Sequence, residues 1–346
     1  FVFASAASYI LKKPFIMLRK KNKLPAEVHS VDFELEYGKA TIEVHKDSIQ
    51  KNDKVLIIDD LIATGGTAEA AAKLVEISEG NVSGFVFVIN LFDLKGWIAL
   101  DGLLEQSELK EIHEHQMNFL YDREKLPIEH RDNHGGPSQR LLDHPVVVGI
   151  LNEILSHQAL ASPDCYGFRF DHTYTSHRKA GHDNFSPHGG GGFFNFRGNS
   201  HIYQMQPNKI HSGLTRVVWE LNEISKDDGA TLFMSGSHKA AFSRPDELSL
   251  RDSLLWESYT CSPGSAVIFT EGLCHTGQCW SNKHRDRLSL FTCYDTVNSK
   301  WGKGCPPEEV IAEMPPLRRT LFRGAWHGMG ETPGTNLYYS DSNKAV

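Results

Sequence analysis

The stretch Lys54 to Lys73, KVLIIDDLIATGGTAEAAAK, constrains the chain more than any other. Val55 to Ile58 is an apolar run, as a strand buried in a parallel sheet requires. Two carboxylates, Asp59 and Asp60, follow at its C-terminal end. A loop of small residues comes next, Ala63-Thr64-Gly65-Gly66-Thr67, and an alanine-rich helix is predicted from about Ala68 to Glu76. A strand, a glycine loop and a helix N-terminus together make a cradle for phosphate. Backbone N–H groups point at the anion, the helix dipole favours it, and glycine lets the main chain come close. The paired acids suit ribose hydroxyls, or a Mg²⁺ ion bridging to pyrophosphate. A generic strand-turn-helix is the plainer alternative, and a lone Gly-Gly loop does not separate the two.

With 346 residues the expectation is two domains. The net charge of −7 offers no basic field for nucleic acid. No apolar run approaches the ~20 residues of a membrane span. The six cysteines (165, 261, 274, 279, 293 and 305) all lie in the second half and contain no CxxC pair. Reduced thiols in a cytoplasmic protein are therefore expected, rather than disulfides or zinc. The chain opens at Phe1 inside a predicted helix, which reads as a fragment without its N-terminus.

Residues 1–103 read as α/β: a helix over Phe1 to Leu11, a strand over Pro14 to Arg19, a hairpin around Gly38, the phosphate cradle, and a buried strand over Gly84 to Leu91. The motifs RKKNKLP, LEYGKATIEVHKD, the Asp-Asp and Thr-Gly-Gly-Thr loop, and FVINLFDLKG occur in that order. This half resembles adenine phosphoribosyltransferase, a type I phosphoribosyltransferase that uses phosphoribosyl pyrophosphate (PRPP). The resemblance covers the C-terminal two-thirds of that enzyme. It implies that Asp59 and Asp60 bind the ribose, and that Ala63, Thr64, Gly65, Gly66 and Thr67 hold the 5-phosphate. Arg19, Lys20 and Lys23 would face the pyrophosphate. Tyr37 and the acid/base candidate Glu36 would sit on a closing loop, and Mg(II) would accompany PRPP. Without the resemblance, Arg19, Lys20 and Lys23 read as a solvated basic turn. The family's pyrophosphate loop and much of its purine pocket precede the helix at Phe1 and are absent from the sequence.

The expected division is a phosphoribosyltransferase-like domain at 1–105, a linker at 106–117, and a second domain at 118–346. His113 and His115 are two apart, share no helix face, and are expected at the surface. In the second domain a helix is predicted around His144 to His157. Short strands follow at Tyr166 to His172, Gly213 to Asn222, Ala230 to Ser235, Ser265 to Thr270 and Arg287 to Tyr294. That spacing predicts an all-β sandwich or barrel. A polar tail ends the chain.

Three stations carry chemistry there: SPHGGGG at Ser186 to Gly192, DGA and SGSHK at Asp228 to Lys239, and PGSAVIF through His275-Thr276-Gly277 to Arg285-Asp286-Arg287. In this order they resemble the phytanoyl-CoA dioxygenase family of Fe(II)/2-oxoglutarate oxygenases, which have a double-stranded β-helix (jelly-roll) fold. Non-haem iron takes two imidazoles and a carboxylate on one face and leaves the other open. The resemblance implies His188 and His275 as metal ligands. It implies Arg287, with Arg285 as the other candidate, as the clamp on the far carboxylate of 2-oxoglutarate. The family's first motif is His-x-Asp, but Gly190 stands at the third position. Asp183 or Glu220 could substitute, the vacancy could admit halide as in related halogenases, or the metal site could be weakened. His238 is expected to be structural.

The sequence thus predicts an enzyme built as a fusion: a partial α/β phosphoribosyltransferase unit followed by a jelly-roll oxygenase. The cofactors implied are Fe(II), 2-oxoglutarate and Mg(II) with PRPP. The partners expected are small-molecule substrates, with homodimerisation through the first unit as an option. The alternative from another class is a PRPP or nucleotide sensor fused to a catalytically silent barrel.

Overall fold

The apolar run at Val55–Ile58 lies inside a strand, as its composition requires. The computed structural model describes residues 2–35, 38–62, 66–156, 161–190, 201–206, 209–240 and 245–324. The chain divides into two units, Phe1–Phe92 and Asp93–Val346.

The first unit opens with helix α1 (Val2–Leu11). Strands β1 (Arg19–Lys20), β2 (Val28–Leu35) and β3 (Gly38–His45) form an antiparallel sheet in the order β1-β3-β2. The predicted strand over Pro14 to Arg19 shrinks to β1; Pro14 has no N–H to give to a ladder. Strand β4 (Lys54–Ile62), helix α2 (Gly66–Ile77) and strand β5 (Asn81–Asn90) follow, with β4 and β5 parallel. Ala70, Ala71, Leu74 and Val75 fall on one face of α2 and bury against Ile42, Val44, Ile49 and Ile57. Strand β4 and helix α2 therefore form in the order expected around the Gly-Gly loop, whose residues 63–65 lie outside the described residues.

A short helix α3 (Leu91–Lys95) leads into the second unit. Its elements are β6 (Trp97–Leu100), α4 (Gln106–Tyr121), α5 (Pro145–Ile154), β7 (Phe168–Arg178), β8 (Gln204–Gln206), β9 (Lys209–His211), β10 (Thr215–Glu220), β11 (Thr231–Met234), β12 (Ser265–Thr270), β13 (Cys274–Gly277), β14 (Arg287–Thr296), α6 (Glu308–Ala312) and α7 (Pro316–Arg319). The main sheet runs β6-β12-β10-β14-β7, all antiparallel, and β11 pairs with β13 in a smaller sheet. The core joins residues of both sheets: Trp97, Val218, Val267, Phe269 and Phe291 with Ala230 and Phe233. This two-sheet architecture is the sandwich or barrel that the strand spacing predicts and fits the double-stranded β-helix that the resemblance implies.

The structure moves two expected features. The sequence places residues 97–100 in the first domain and 106–117 in a linker. Instead β6 pairs residue for residue with β12, from Trp97↔Phe269 to Leu100↔Ala266, and 106–121 is helix α4. An apolar tetrapeptide carries no mark of which sheet it joins. His115 is buried, not at the surface; its ring meets Ser138 Oγ at 2.8 Å and the His130 carbonyl at 2.9 Å. His113 is half-buried. No described helix is long and apolar enough to cross a membrane.

Two structural histidines make the second unit acid-sensitive. His134 is fully buried; its Nδ1 donates to the Ser138 carbonyl (3.3 Å) and its Nε2 accepts from Thr292 Oγ1 (2.9 Å). Burial lowers its pKa to about 3, and that of His238 to about 4. Both rings are neutral when folded, and both gain a proton on unfolding below the free value of about 6.5. Their stabilisation is complete above pH 6.5. It falls by about 1.4 kcal/mol per pH unit for each ring as pH drops towards the folded values. Asp295, raised to about 7 by burial, opposes this, while burial also lowers His115 and His275 and so adds to the loss. The melting temperature of this unit is expected to fall between pH 7 and pH 5. A flat calorimetric profile over that range would contradict the assignment.

Candidate metal centre

The SPHGG segment reaches the barrel as a short extra strand. The His188 N–H donates to the His275 carbonyl (3.1 Å), the His275 N–H to that of His188 (2.9 Å), and the Gly190 N–H to Gly272 (2.8 Å). This pairing lays the two imidazoles side by side, with ring centroids 4.1 Å apart at 59°. Each ring is oriented by its own backbone. His188 Nδ1 donates to the Ser186 carbonyl and His275 Nδ1 to the Leu273 carbonyl, both at 2.8 Å. A carbonyl oxygen only accepts, so in the neutral rings the Nε2 atoms carry the lone pairs. Metal-binding histidines are commonly oriented in this way. His275 Nε2 is buried and has no hydrogen-bond partner. Burial above all, with the nearby His188 and Arg216, lowers its pKa to about 3, so the ring is neutral at physiological pH.

A carboxylate that the sequence reading missed completes the cluster. Glu271 lies in the tight turn between β12 and β13, where the Leu273 N–H donates to the Thr270 carbonyl (3.0 Å). Its carboxylate is buried and forms an ion pair with Arg216 through Oε1, while Oε2 lies 3.9 Å from His275 Nε2. Burial acts to raise the Glu271 pKa, but Arg216 above all, then His275, hold it at about 2. One ligand atom each from His188, Glu271 and His275 lies within 4.8 Å of the others. His188 is exposed, so the cluster is open to solvent on its side. The signal available in the sequence was an acid four residues before His275, but nothing marks it apart from any turn glutamate.

Neither acid proposed from the sequence substitutes here. Asp183 pairs with Arg251 at the surface (2.8 Å). Glu220 is wholly buried and pairs with Arg287. Arg285 precedes β14 rather than sharing its face, and it is committed to Glu223 and Asp228, both at 2.9 Å. Arg287 opens β14, fully buried. Its Nε donates to Glu220 Oε2 (3.2 Å) and its Nη2 to Glu220 Oε1, Thr231 Oγ1 (3.2 Å) and the Tyr259 hydroxyl (2.9 Å). Its Nη1 is buried without a partner. The residues of the cluster thus fit a metal such as iron: two imidazole nitrogens converge with a carboxylate. His238 is structural as expected, its Nε2 donating to the Asp93 carbonyl at 3.1 Å.

In the first unit Asp59 is half-buried near the end of β4, and Gly66 and Thr67 open α2, with Thr67 exposed. Arg19, Lys20 and Lys23 are exposed. Glu36, Tyr37, Ala63, Thr64, Gly65 and the Asp60 side chain lie outside the described residues.

Family comparison separates the same two parts. A phosphoribosyl transferase domain model matches residues 1–90, and a phytanoyl-CoA dioxygenase model matches residues 92–286. Adenine phosphoribosyltransferase of Pelagibacter ubique (strain HTCC1062) is 82% identical over 96 residues, 28% of this chain and 55% of that enzyme. The chain spans about half the length of the curated relatives it matches. The adenine phosphoribosyltransferase structure from Rhodothermus marinus is 47% identical with a TM-score of 0.25, covering 25% of this chain and 49% of the other. HygX from Streptomyces hygroscopicus, solved with nickel and 2-oxoglutarate bound, is 17% identical with a TM-score of 0.47, covering 60% of this chain and 84% of the other.

Proposed function

Because the chain belongs to the phytanoyl-CoA dioxygenase family through residues 92–286, we propose that its larger unit is an Fe(II)- and 2-oxoglutarate-dependent oxygenase acting on a small molecule. Both matched families are families of enzymes. One observation carries the reading: two imidazoles from distant parts of the chain converge with their Nε2 lone pairs free, each oriented by a backbone carbonyl.

When bound, ferrous iron supplies O₂ activation coupled to decarboxylation of 2-oxoglutarate. The chain's own residues bind and orient. His188 and His275 hold the metal. Arg287, kept rigid by Glu220 and Tyr259, offers Nη1 to the far carboxylate of 2-oxoglutarate. Phe269, its ring 4.7 Å from that of His275, covers one side of the site with apolar surface and limits water there.

The smaller unit is read as a PRPP-binding, adenine phosphoribosyltransferase-like domain, with Asp59 and Asp60 on the ribose and the loop before α2 on the 5-phosphate. The 82% identity supports this. The reaction of the relatives' family, adenine with PRPP to AMP and pyrophosphate, is proposed for this unit, of which the chain carries a part matching 55% of that relative. The chain's six free cysteines, all in the larger unit, suit a reducing, cytoplasmic setting.

One anaerobic titration series tests both readings. Fe(II) with 2-oxoglutarate is expected to give the weak visible charge-transfer band of the chelate, and Mg-PRPP to raise the melting temperature of the first unit. No band at millimolar 2-oxoglutarate supports the silent barrel instead, and an unmoved first transition refutes PRPP binding.

A further inference from the structure

The position at which a family member would carry its metal-binding aspartate cannot hold one in this chain. Gly189 and Gly190 have φ of +74° and +68°, in the left-handed region that favours glycine. A Cβ on Gly190 would lie 2.6 Å from the Cys274 Cβ, and one on Gly189 2.2 Å from the Leu273 carbonyl oxygen. At these two positions the segment lies so close to the turn before β13 that any Cβ meets backbone or a neighbouring Cβ.

The same turn presents a carboxylate. The Glu271 N–H donates to the Leu214 carbonyl (2.8 Å), which fixes the main chain just before β13. Arg216 binds Oε1, donates from Nη1 to the Tyr174 hydroxyl (2.8 Å), and lies near the rings of Phe269 and Phe291. The free oxygen, Oε2, is left on the His275 side, 3.9 Å from Nε2. Three electron-pair donors therefore meet: two imidazole Nε2 atoms, whose N–H groups are spent on carbonyls, and one carboxylate oxygen. Nothing among these three atoms donates a proton to the others. Converging acceptors, two of the three on buried residues, repel one another unless a cation or a donor lies between them.

We propose that Glu271 is the third metal ligand, so that the carboxylate has moved from two residues after the first histidine to four residues before the second. The centre is His188, Glu271 and His275, and Arg216 is a positioning residue that holds Glu271 through its other oxygen. This rests on the oxygenase reading and replaces its vacant carboxylate position, so no halide is needed to complete the ligand set.

The test is anaerobic calorimetric titration of the full chain with Fe(II) and with Co(II). Wild type is expected to bind one metal ion per chain. Glu271→Gln keeps the shape and a hydrogen bond to Arg216. It is expected to weaken binding by at least the 10- to 100-fold typical of losing an outer-sphere partner, and to lower the melting temperature while keeping a cooperative transition, because Arg216 is left without its counter-charge. Asp183→Asn is expected to bind as wild type does. Glu271→Cys loaded with Co(II) is expected to show a thiolate-to-cobalt charge-transfer band that wild type, with Cys274 nearby, lacks. Glu271→Gln binding with wild-type affinity overturns the assignment and leaves the oxygenase reading standing. Wild type binding neither metal overturns both. Should the variants fail to fold, a crystal structure of the Co(II)-loaded wild type decides: cobalt bound to the Glu271 carboxylate supports the assignment, and any other position or an empty site overturns it.

Discussion

Trp97→Ala is expected to destabilise the oxygenase-like unit by about 3–5 kcal/mol, the usual cost of emptying a large aromatic site in a core. Trp97 is 8% exposed and stacks on Phe233 with centroids 4.9 Å apart. Its Nε1 donates to Ser235 Oγ at 2.9 Å. It is also the first residue of β6, and its neighbours are equally committed. Ile98 and Leu100 are buried, and Asp101 accepts from the Ser262 N–H (2.7 Å) and the Ser265 hydroxyl (2.9 Å). Just before the strand, Asp93 accepts from Tyr203 (2.6 Å) and Lys239 (2.7 Å). A domain has about 5–15 kcal/mol of net stability, so the tryptophan alone carries much of the margin. A chain beginning at residue 106 would lose all of β6 and leave β12 with an unpaired edge. It is expected to lack a cooperative thermal transition, whereas a chain beginning at Asp93 keeps one. Equal melting temperatures for the two truncations would show that β6 is dispensable.

Glu220→Gln is expected to cost about 3–5 kcal/mol, the range for breaking one side of a buried ion pair. Glu220 and Arg287 are both wholly buried. The glutamate carboxylate takes Arg287 Nε and Nη2, the Ser289 hydroxyl (2.6 Å) and the Tyr259 hydroxyl (2.7 Å). Arg178 pairs with Arg287 across the β7–β14 ladder, and the neighbouring guanidinium adds to burial in lowering the Arg178 pKa. Neutralising Glu220 therefore leaves two buried cations close together without a counter-charge. The double variant Glu220→Gln with Arg287→Met is expected to recover part of the loss, since the uncompensated charge at 287 goes with it. Urea unfolding measures both; Glu220→Gln within 1 kcal/mol of wild type, by the same scale, would mean that water already reaches the pair. Raising 2-oxoglutarate is expected to offset part of the single variant's loss, because a bound dicarboxylate returns negative charge to Arg287.

What could be read from the residues in order was local. The apolar run before Asp59, the glycines after it and the alanine-rich helix specify a strand, a turn and a helix through backbone propensity, and the strand and the helix form where they were expected. His188, His275 and Arg287 could be singled out only through the order and spacing of the three stations, and the structure brings the two histidine rings together. The rest depended on which surfaces meet. Trp97 to Leu100 is apolar enough for either unit, and only the ladder with β12 shows that it belongs to the second. Glu220 and Glu271 look alike as text; burial opposite Arg287 makes one a structural counter-ion, and a turn beside His275 makes the other a candidate ligand. Neighbouring residues in a chain state which backbone shapes are favourable. The partner of a charge is chosen by contacts between distant segments, and those exist only once the chain has closed on itself.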